Sequence, residues 1–337
     1  MLFLSLSETA LGLTLFMLGL RFIERGATVL AGGRASAVVK RATGNVFSAM
    51  GIGAVSTAVA QSSVAVNSLV VTLVGAGAIS PLSSLAVVMG SNVGTTMTAQ
   101  IVSFSFGEVN LAAIGAFLAL VGFILWSFSG SVINAVGALV LGFGLVFSGI
   151  QTLSAGVEGF YSYEFFINFF TVKSPIVLLL NGFLITAVCQ SSSVVSSMLV
   201  ILCMGNVVTF NSAVYLMLGA NIGATVSVLA FARKKGVYAR QTALFNTLFN
   251  TFGAILFFIV NVLFSQAVQS LFLSTSENVG RAIANFHTFF NLISAVITLP
   301  ALSPISKLTA RLERAWSQTG VGLKTDKRAK KRVVAAK

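Results

Sequence analysis

Apolar residues fill this chain in long blocks, and the blocks lack the strict apolar–polar alternation of a half-buried strand. Seven of them are expected to be membrane-spanning helices: Leu2–Leu20, Leu82–Phe106, Leu111–Phe128, Val132–Ile150, Asn211–Phe231, Gln241–Phe264 and Ala282–Leu299. Each comes near the roughly 20 apolar residues that a bilayer crossing needs. Two further blocks, Phe47–Gly77 and Pro175–Asn206, are longer and are interrupted at their centres by Gln-Ser-Ser. A straight helix of about 30 residues would measure about 45 Å, against a hydrocarbon core of about 30 Å. Both blocks are therefore expected to be re-entrant hairpins with the polar triplet at the tip. Non-helical backbone at that depth must face protein or water.

The polar interruptions repeat. Thr57-Ala58-Val59-Ala60-Gln61-Ser62-Ser63 recurs as Thr186-Ala187-Val188-Cys189-Gln190-Ser191-Ser192, and Gly90-Ser91-Asn92-Val93-Gly94-Thr95-Thr96 recurs as Gly219-Ala220-Asn221-Ile222-Gly223-Ala224-Thr225. The offset is 129 residues in both, and ungapped alignment of 57–96 on 186–225 gives 15 identities in 40 positions. Leu11, Gly12, Leu15, Gly19 and Gly26 match Leu141, Gly142, Leu145, Gly149 and Gly156 at an offset of 130. With three true crossings per copy, the second copy enters the membrane inverted, as in transporters whose halves share a central site. The expected organisation is a first inverted repeat at 1–130, a second at 131–265, a last transmembrane helix at 266–306 and a basic cytoplasmic tail at 307–337.

Composition fixes the class. With 56% hydrophobic and 9% charged residues, the chain is expected to be an all-α integral membrane protein. The net charge of +13 raises the question of nucleic acid, but the basic residues gather in loops. Arg21, Arg25, Arg34, Lys40 and Arg41 form one group, Arg233, Lys234, Lys235 and Arg240 another, and ten more lie from Lys307 onward. The positive-inside rule then places the N-terminus outside and the C-terminus in the cytoplasm of a cell (inner) membrane, leaving Glu108, Glu158, Glu164 and Glu277 outside. The tail 324–337 is expected to be disordered and to meet anionic headgroups. Cys189 and Cys203 are read as packing residues, with no disulfide or metal site.

Asn92, Thr95 and Thr96, flanked by Gly90 and Gly94, and Asn221 and Thr225, flanked by Gly219 and Gly223, suggest two broken helices. Glycine, Asn and Thr all weaken a helix interior. The neutral oxygens of both clusters suit a hard cation such as sodium. Proton coupling would use an intramembrane acid or histidine. The candidates, Glu8 and His287, lie outside the clusters and are read as packed or interfacial residues. No Lys or Arg lies in the clusters either, so an anion would rest on Ser and Thr hydroxyls, on the helix N-termini that follow each Gln-Ser-Ser, and on co-bound cations.

At these residues the chain resembles the sodium-dependent phosphate cotransporter family, the type II sodium/phosphate symporters and their bacterial relatives. Those proteins carry a duplicated Gln-Ser-Ser-Ser hairpin followed by a Gly-x-Asn-Ile/Val-Gly-Thr-Thr helix. Here the second hairpin is complete, Gln190-Ser191-Ser192-Ser193, while Val64 replaces the third serine of the first, and Ala224 stands where the family often has Thr. The resemblance implies import of inorganic phosphate with sodium as coupling ion and no other cofactor. It implies that Gln61, Ser62, Ser63, Gln190, Ser191, Ser192 and Ser193 meet phosphate. Sodium would be held by Gln61, Ser63, Asn92, Thr95, Thr96, Gln190, Ser192, Asn221 and Thr225.

Other readings follow from the same residues. A carrier for another small anion such as a dicarboxylate is the alternative, although carboxylates favour an Arg fork that the clusters lack. A serine enzyme would need a base beside a nucleophile, and His287 stands apart from any Gly-x-Ser-x-Gly motif. The expected partners are phosphate, sodium and the lipid bilayer, with a homodimer as the assembly to test and no nucleic acid. Alternating access is the expected mechanism.

Overall fold

The computed structural model describes residues 2–31, 44–104, 111–159 and 164–318, and every regular element among them is helical. In chain order these are α1 (Leu2–Ala31), α2 (Val46–Ala60), α3 (Ser63–Gly75), α4 (Pro81–Phe104), α5 (Leu111–Trp126), α6 (Ser131–Glu158) and α7 (Glu164–Thr171). Then follow α8 (Pro175–Cys189), α9 (Ser192–Met204), α10 (Phe210–Ala232), α11 (Val237–Ser274), α12 (Val279–Thr298), a short 3-10 turn (Leu299–Ala301) and α13 (Leu302–Gln318). Arg34, Lys40, Arg41, Glu108 and the tail 324–337 lie outside the described residues.

Among the described residues, six stretches are long and apolar enough to cross a membrane, not seven: 3–30, 81–104, 131–156, 210–232, 237–274 and 279–317. The expected span at 111–128 is α5, whose 16 residues rise only about 24 Å. Helix α1 extends past Leu20 to Ala31, so Arg21 and Arg25 sit on a helix and not in a connection. Helix α11 runs well past Phe264, which leaves helical geometry (φ −129°, ψ 33°) and kinks the rod where the sequence suggested an end.

The blocks interrupted by Gln-Ser-Ser do break in the middle. Helices α2 and α3 meet at Gln61 (φ 52°), and α8 and α9 meet at Gln190 (φ 57°), both left-handed. Side-chain caps restart the chain: the Ser62 hydroxyl accepts from Ala65 N at 3.2 Å, and the Ser191 hydroxyl from Val194 N at 3.4 Å. Two further left-handed residues, Gly77 and Asn206, turn the chain from α3 into α4 and from α9 into α10.

The expected breaks in α4 and α10 are absent; both helices run uninterrupted. Their glycines serve close packing instead. A Cβ on Gly90 would overlap the Met50 carbonyl oxygen of α2, and one on Gly53 of α2 would overlap that of Val87. At the offset of 129, Gly219 meets the Leu179 carbonyl oxygen and Gly182 that of Leu216. Small residues let helix backbones touch in this way. Gly94 meets the Ala54 carbonyl oxygen and Gly223 that of Phe183, so the contacts Met50–Gly90 and Ala54–Gly94, like Leu179–Gly219 and Phe183–Gly223, rise together in number, and α2 runs parallel to α4 and α8 parallel to α10. Helix α10 ends where α4 begins: Gly75 abuts the Lys235 carbonyl, and Ser84 Oγ lies 2.8 Å from Thr242 Oγ1. The two helix–hairpin units are therefore antiparallel.

Helices α1 and α6 form a second glycine seam. Gly12 packs on Leu153, Gly19 on Gly142 and Val146, and Gly26 on Ala135 and Leu139, an antiparallel pairing in which α1 places glycine at three positions seven residues apart. The core between α9, α10, α11 and α12 is aromatic, with Phe257, Phe272, Phe286 and Phe290 in edge and stacked contacts.

Arg240, expected as a loop charge, is buried at the start of α11. Its Nη2 lies 2.6 Å from Glu313 Oε1 on α13 and 3.1 Å from Ser317 Oγ. Beside it, Gln241 donates to the carbonyl of Ser306 and to Thr309 Oγ1. Beyond its first turn, where Leu302 and Ile305 pack on apolar core, the face of α13 turned to the protein is thus polar. Removing one partner of a buried ion pair leaves an uncompensated charge. Glu313→Ala is expected to lower stability by about 3 kcal/mol, read as a lower unfolding temperature of the purified protein in detergent. An R240M/E313L double variant should recover most of the loss.

Candidate functional site

The two hairpin tips, 129 residues apart in sequence, line one cavity of about 510 Å³. The first supplies Gln61, Ser62, Ser63, Val64, Ala65 and Ser68, and the second Val188 to Val194. Every residue the resemblance assigned to phosphate is there: Gln61, Ser62, Ser63, Gln190, Ser191, Ser192 and Ser193. Because Gln61 and Gln190 end their helices in the left-handed region, α3 and α9 restart at the cavity wall. Their leading amides, on Ser63 and Val64 and on Ser192 and Ser193, come before the first intrahelical hydrogen bond. Free amides and two helix N-terminal dipoles make this a place for an anion. Ser62 and Ser191 have a structural task as caps, and their hydroxyl hydrogens are left to donate.

The tips differ. Gln61 is buried, its Oε1 accepting from Thr98 Oγ1 at 2.8 Å and its Nε2 donating to the Ala58 carbonyl. Gln190 is exposed to the cavity, and its carboxamide has no partner among the described residues. Ser227, the counterpart of Thr98 at the 129-residue offset, has a buried hydroxyl without a partner.

The residues expected to complete sodium shells do not line the cavity. Asn92, Thr95, Thr96, Asn221 and Thr225 are buried one layer behind it on α4 and α10. Thr95, Thr96 and Thr225 donate to Ser91, Val93 and Ile222 carbonyls. Asn92 Nδ2 donates to the Val88 carbonyl at 2.9 Å and to Asn246 Oδ1 at 3.1 Å, and Asn221 Nδ2 to the Met217 carbonyl at 2.9 Å. With the donors committed, what these side chains still offer is oxygen lone pairs, the chemistry of a hard cation.

Sequence reasoning missed several polar residues around this layer. His287 is fully buried with Nε2 3.4 Å from Asn221 Nδ2, so it adjoins the cluster it was expected to stand apart from. Asn246, Asn250, Asn291 and Ser294 are buried on α11 and α12, and Asn250 Oδ1, Asn291 Oδ1 and Ser294 Oγ have no hydrogen-bond partner. The four-residue steps Asn246–Asn250 and His287–Asn291 were a readable sign of polar stripes. Glu8 is half-buried on α1, with its backbone beside Gly156 of α6.

The largest omission is charge. Arg21 and Glu24 of α1 line the cavity with Met17 and Leu20. The expectation that an anion finds no cationic side chain here is overturned, because α1 continues beyond Leu20 and brings one in. Among the described residues, no group of three or more His, Cys, Asp or Glu could hold a metal ion.

Comparison with known proteins bears on this arrangement. A family model described as Na+/Pi-cotransporter matches residues 15–155 and 164–296. YqeW of Bacillus subtilis (strain 168), a protein without an assigned activity, is 27% identical over 298 residues, covering 88% of this chain and 94% of its own. The protein named "Putative inorganic phosphate export protein YjbB" of Escherichia coli (strain K12) is 24% identical over 314 residues, or 92% of this chain. The chain spans 56% of that relative's length. No solved structure matches.

Proposed function

The chain belongs to the Na+/Pi-cotransporter family, and from that premise we propose that it is a multi-pass secondary transporter moving inorganic phosphate together with sodium. The observation that carries the reading is the meeting of both Gln-Ser tips in one cavity whose walls present helix N-termini and an arginine. Phosphate binds at the tips. Sodium binds among the neutral oxygens behind them, and its charge offsets that of the anion.

Alternating access between inverted repeats is the mechanism we put forward. The antiparallel helix–hairpin units support it, since each hairpin would enter from one side and stop short of the other. Gln61 pairs with Thr98, level with a point about 25 Å along α4. The unlike tips support it too: two nearly equivalent halves hold different hydrogen bonds in one conformation. A dicarboxylate carrier is the alternative, and Arg21 removes the objection that the core offers no arginine. The family match weighs for phosphate.

The direction we propose is inward under an inward sodium gradient, with the N-terminus outside and the C-terminus in the cytoplasm of the cell membrane. A second reading, export, is favoured by the name of the Escherichia coli relative. Proteoliposomes test both. Labelled phosphate should accumulate only with a sodium gradient, fall to background when choline replaces sodium, and reverse when the gradient is reversed. Phosphate flux indifferent to sodium would refute the coupling.

A further inference from the structure

We propose that Arg21 and Glu24 of α1 are the selectivity pair of the cavity, Arg21 donating to a tetrahedral oxyanion and Glu24 accepting a hydrogen bond from the P–OH that phosphate has and sulfate lacks. The inference rests on reading the cavity as a phosphate site. Met17, Leu20, Arg21 and Glu24 follow the spacing i, i+3, i+4, i+7, a single helix stripe, and all four line the cavity. A charge on a largely apolar helix is costly unless it faces a polar space, and of the four charged residues of α1, Glu8, Arg21, Glu24 and Arg25, the two that line the cavity are Arg21 and Glu24. They do not pair with each other: the single ion pair among the described residues joins Arg240 to Glu313.

The rest of the lining explains what they are for. The leading amides of α3 and α9 donate only, while the serine hydroxyls and the Gln190 carboxamide can both donate and accept. Such groups serve phosphate and sulfate alike, as both are tetrahedral oxyanions of similar size. Glu24 is the one carboxyl side chain lining the cavity, and as a carboxylate it only accepts. At neutral pH inorganic phosphate keeps at least one P–OH, so a carboxylate facing it gains a charge-assisted hydrogen bond. Sulfate has no proton to offer and meets a like charge. Discrimination comes from the penalty on the wrong anion as much as from affinity for the right one. Arg21, one turn earlier, supplies attraction common to both anions.

The test is sodium-driven uptake of labelled phosphate into proteoliposomes with sulfate as competitor, for wild type, Glu24→Gln, Glu24→Asp and Arg21→Gln. Wild-type uptake should resist sulfate. Glu24→Gln should lower the preference for phosphate over sulfate by about tenfold or more, since a site built to bond a hydroxyl rejects its absence strongly. Glu24→Asp should restore part of the preference, and Arg21→Gln should weaken both anions while leaving their ratio unchanged. Thermal stabilisation of the purified variants by phosphate and by sulfate reads the same ratio without turnover, and so covers a variant that binds but does not transport. An unchanged ratio in folded Glu24→Gln overturns the inference. Wild-type protein that neither binds nor takes up phosphate overturns the transport reading itself, and the inference with it.

Discussion

Gln190→Gly is expected to reduce phosphate uptake at subsaturating substrate by roughly 10- to 100-fold while leaving the protein folded. The carboxamide of Gln190 faces the cavity and bonds to none of the described residues, which leaves its hydrogen-bonding capacity for a ligand. A hydrogen bond to a charged group contributes about 1.5–3 kcal/mol, which sets the size of the loss. Glycine is the better substitute than alanine because Gln190 sits at φ 57°, where a Cβ is disfavoured. Relief of that strain should raise stability by up to about 1 kcal/mol. Transport and stability would then move in opposite directions, which a general folding defect does not do. Gln61→Gly should differ, since Gln61 bonds Thr98 and the Ala58 carbonyl, and its removal also loosens the first tip. Uptake near wild type in folded Gln190→Gly would remove the tip from the transport site.

Gly90→Val is expected to prevent folding. A side chain there would occupy the position of the Met50 carbonyl oxygen, and backbone cannot swing aside as a flexible side chain can. Helices α2 and α4 would have to separate along their seam, exposing Gly53 and Ala54 as well. We expect a cost beyond about 4 kcal/mol, the range reserved for severe core disruption. Size-exclusion chromatography in detergent should show aggregate in place of a monodisperse peak. The control is Gly51→Ala on the same helix, where a Cβ meets nothing within 4 Å. That change should be neutral or stabilising by up to about 1 kcal/mol. Equal behaviour of the two variants would mean that α2 does not lie on α4 in this way.

The hairpin tips were legible because Gln-Ser-Ser is polar at the centre of an apolar block, and because the block is too long for one straight crossing. Their convergence on one cavity followed from the repeat. The glycines were not legible in the same way. In sequence, Gly90 and Gly94 read equally as a weak point in a helix and as room for a neighbour, and the neighbour, Met50, is 40 residues away. Arg21 and Glu24 were passed over because counting apolar residues ended the first span at Leu20, whereas their three-residue step marks one face of a continuing helix. Helix α13 was hidden for the opposite reason: the face it buries beyond its first turn is polar, with Thr309 and Glu313 turned inward and Leu308 and Leu312 exposed, so amphipathic patterning pointed the wrong way. Helix α5 looked like a crossing because its composition is right, although it is short.

The reciprocal seats of Gly53 on Val87 and Gly90 on Met50, matched by Gly182 on Leu216 and Gly219 on Leu179, restrict how this molecule can change shape. Sliding one helix past its neighbour by even a single residue would push a side chain against a peptide carbonyl in two places at once. Each outgoing arm is thus keyed to its long helix like a notched rail with one resting place. Under the alternating access proposed above, tip, arm and long helix would move together as a solid piece, with the hinges elsewhere.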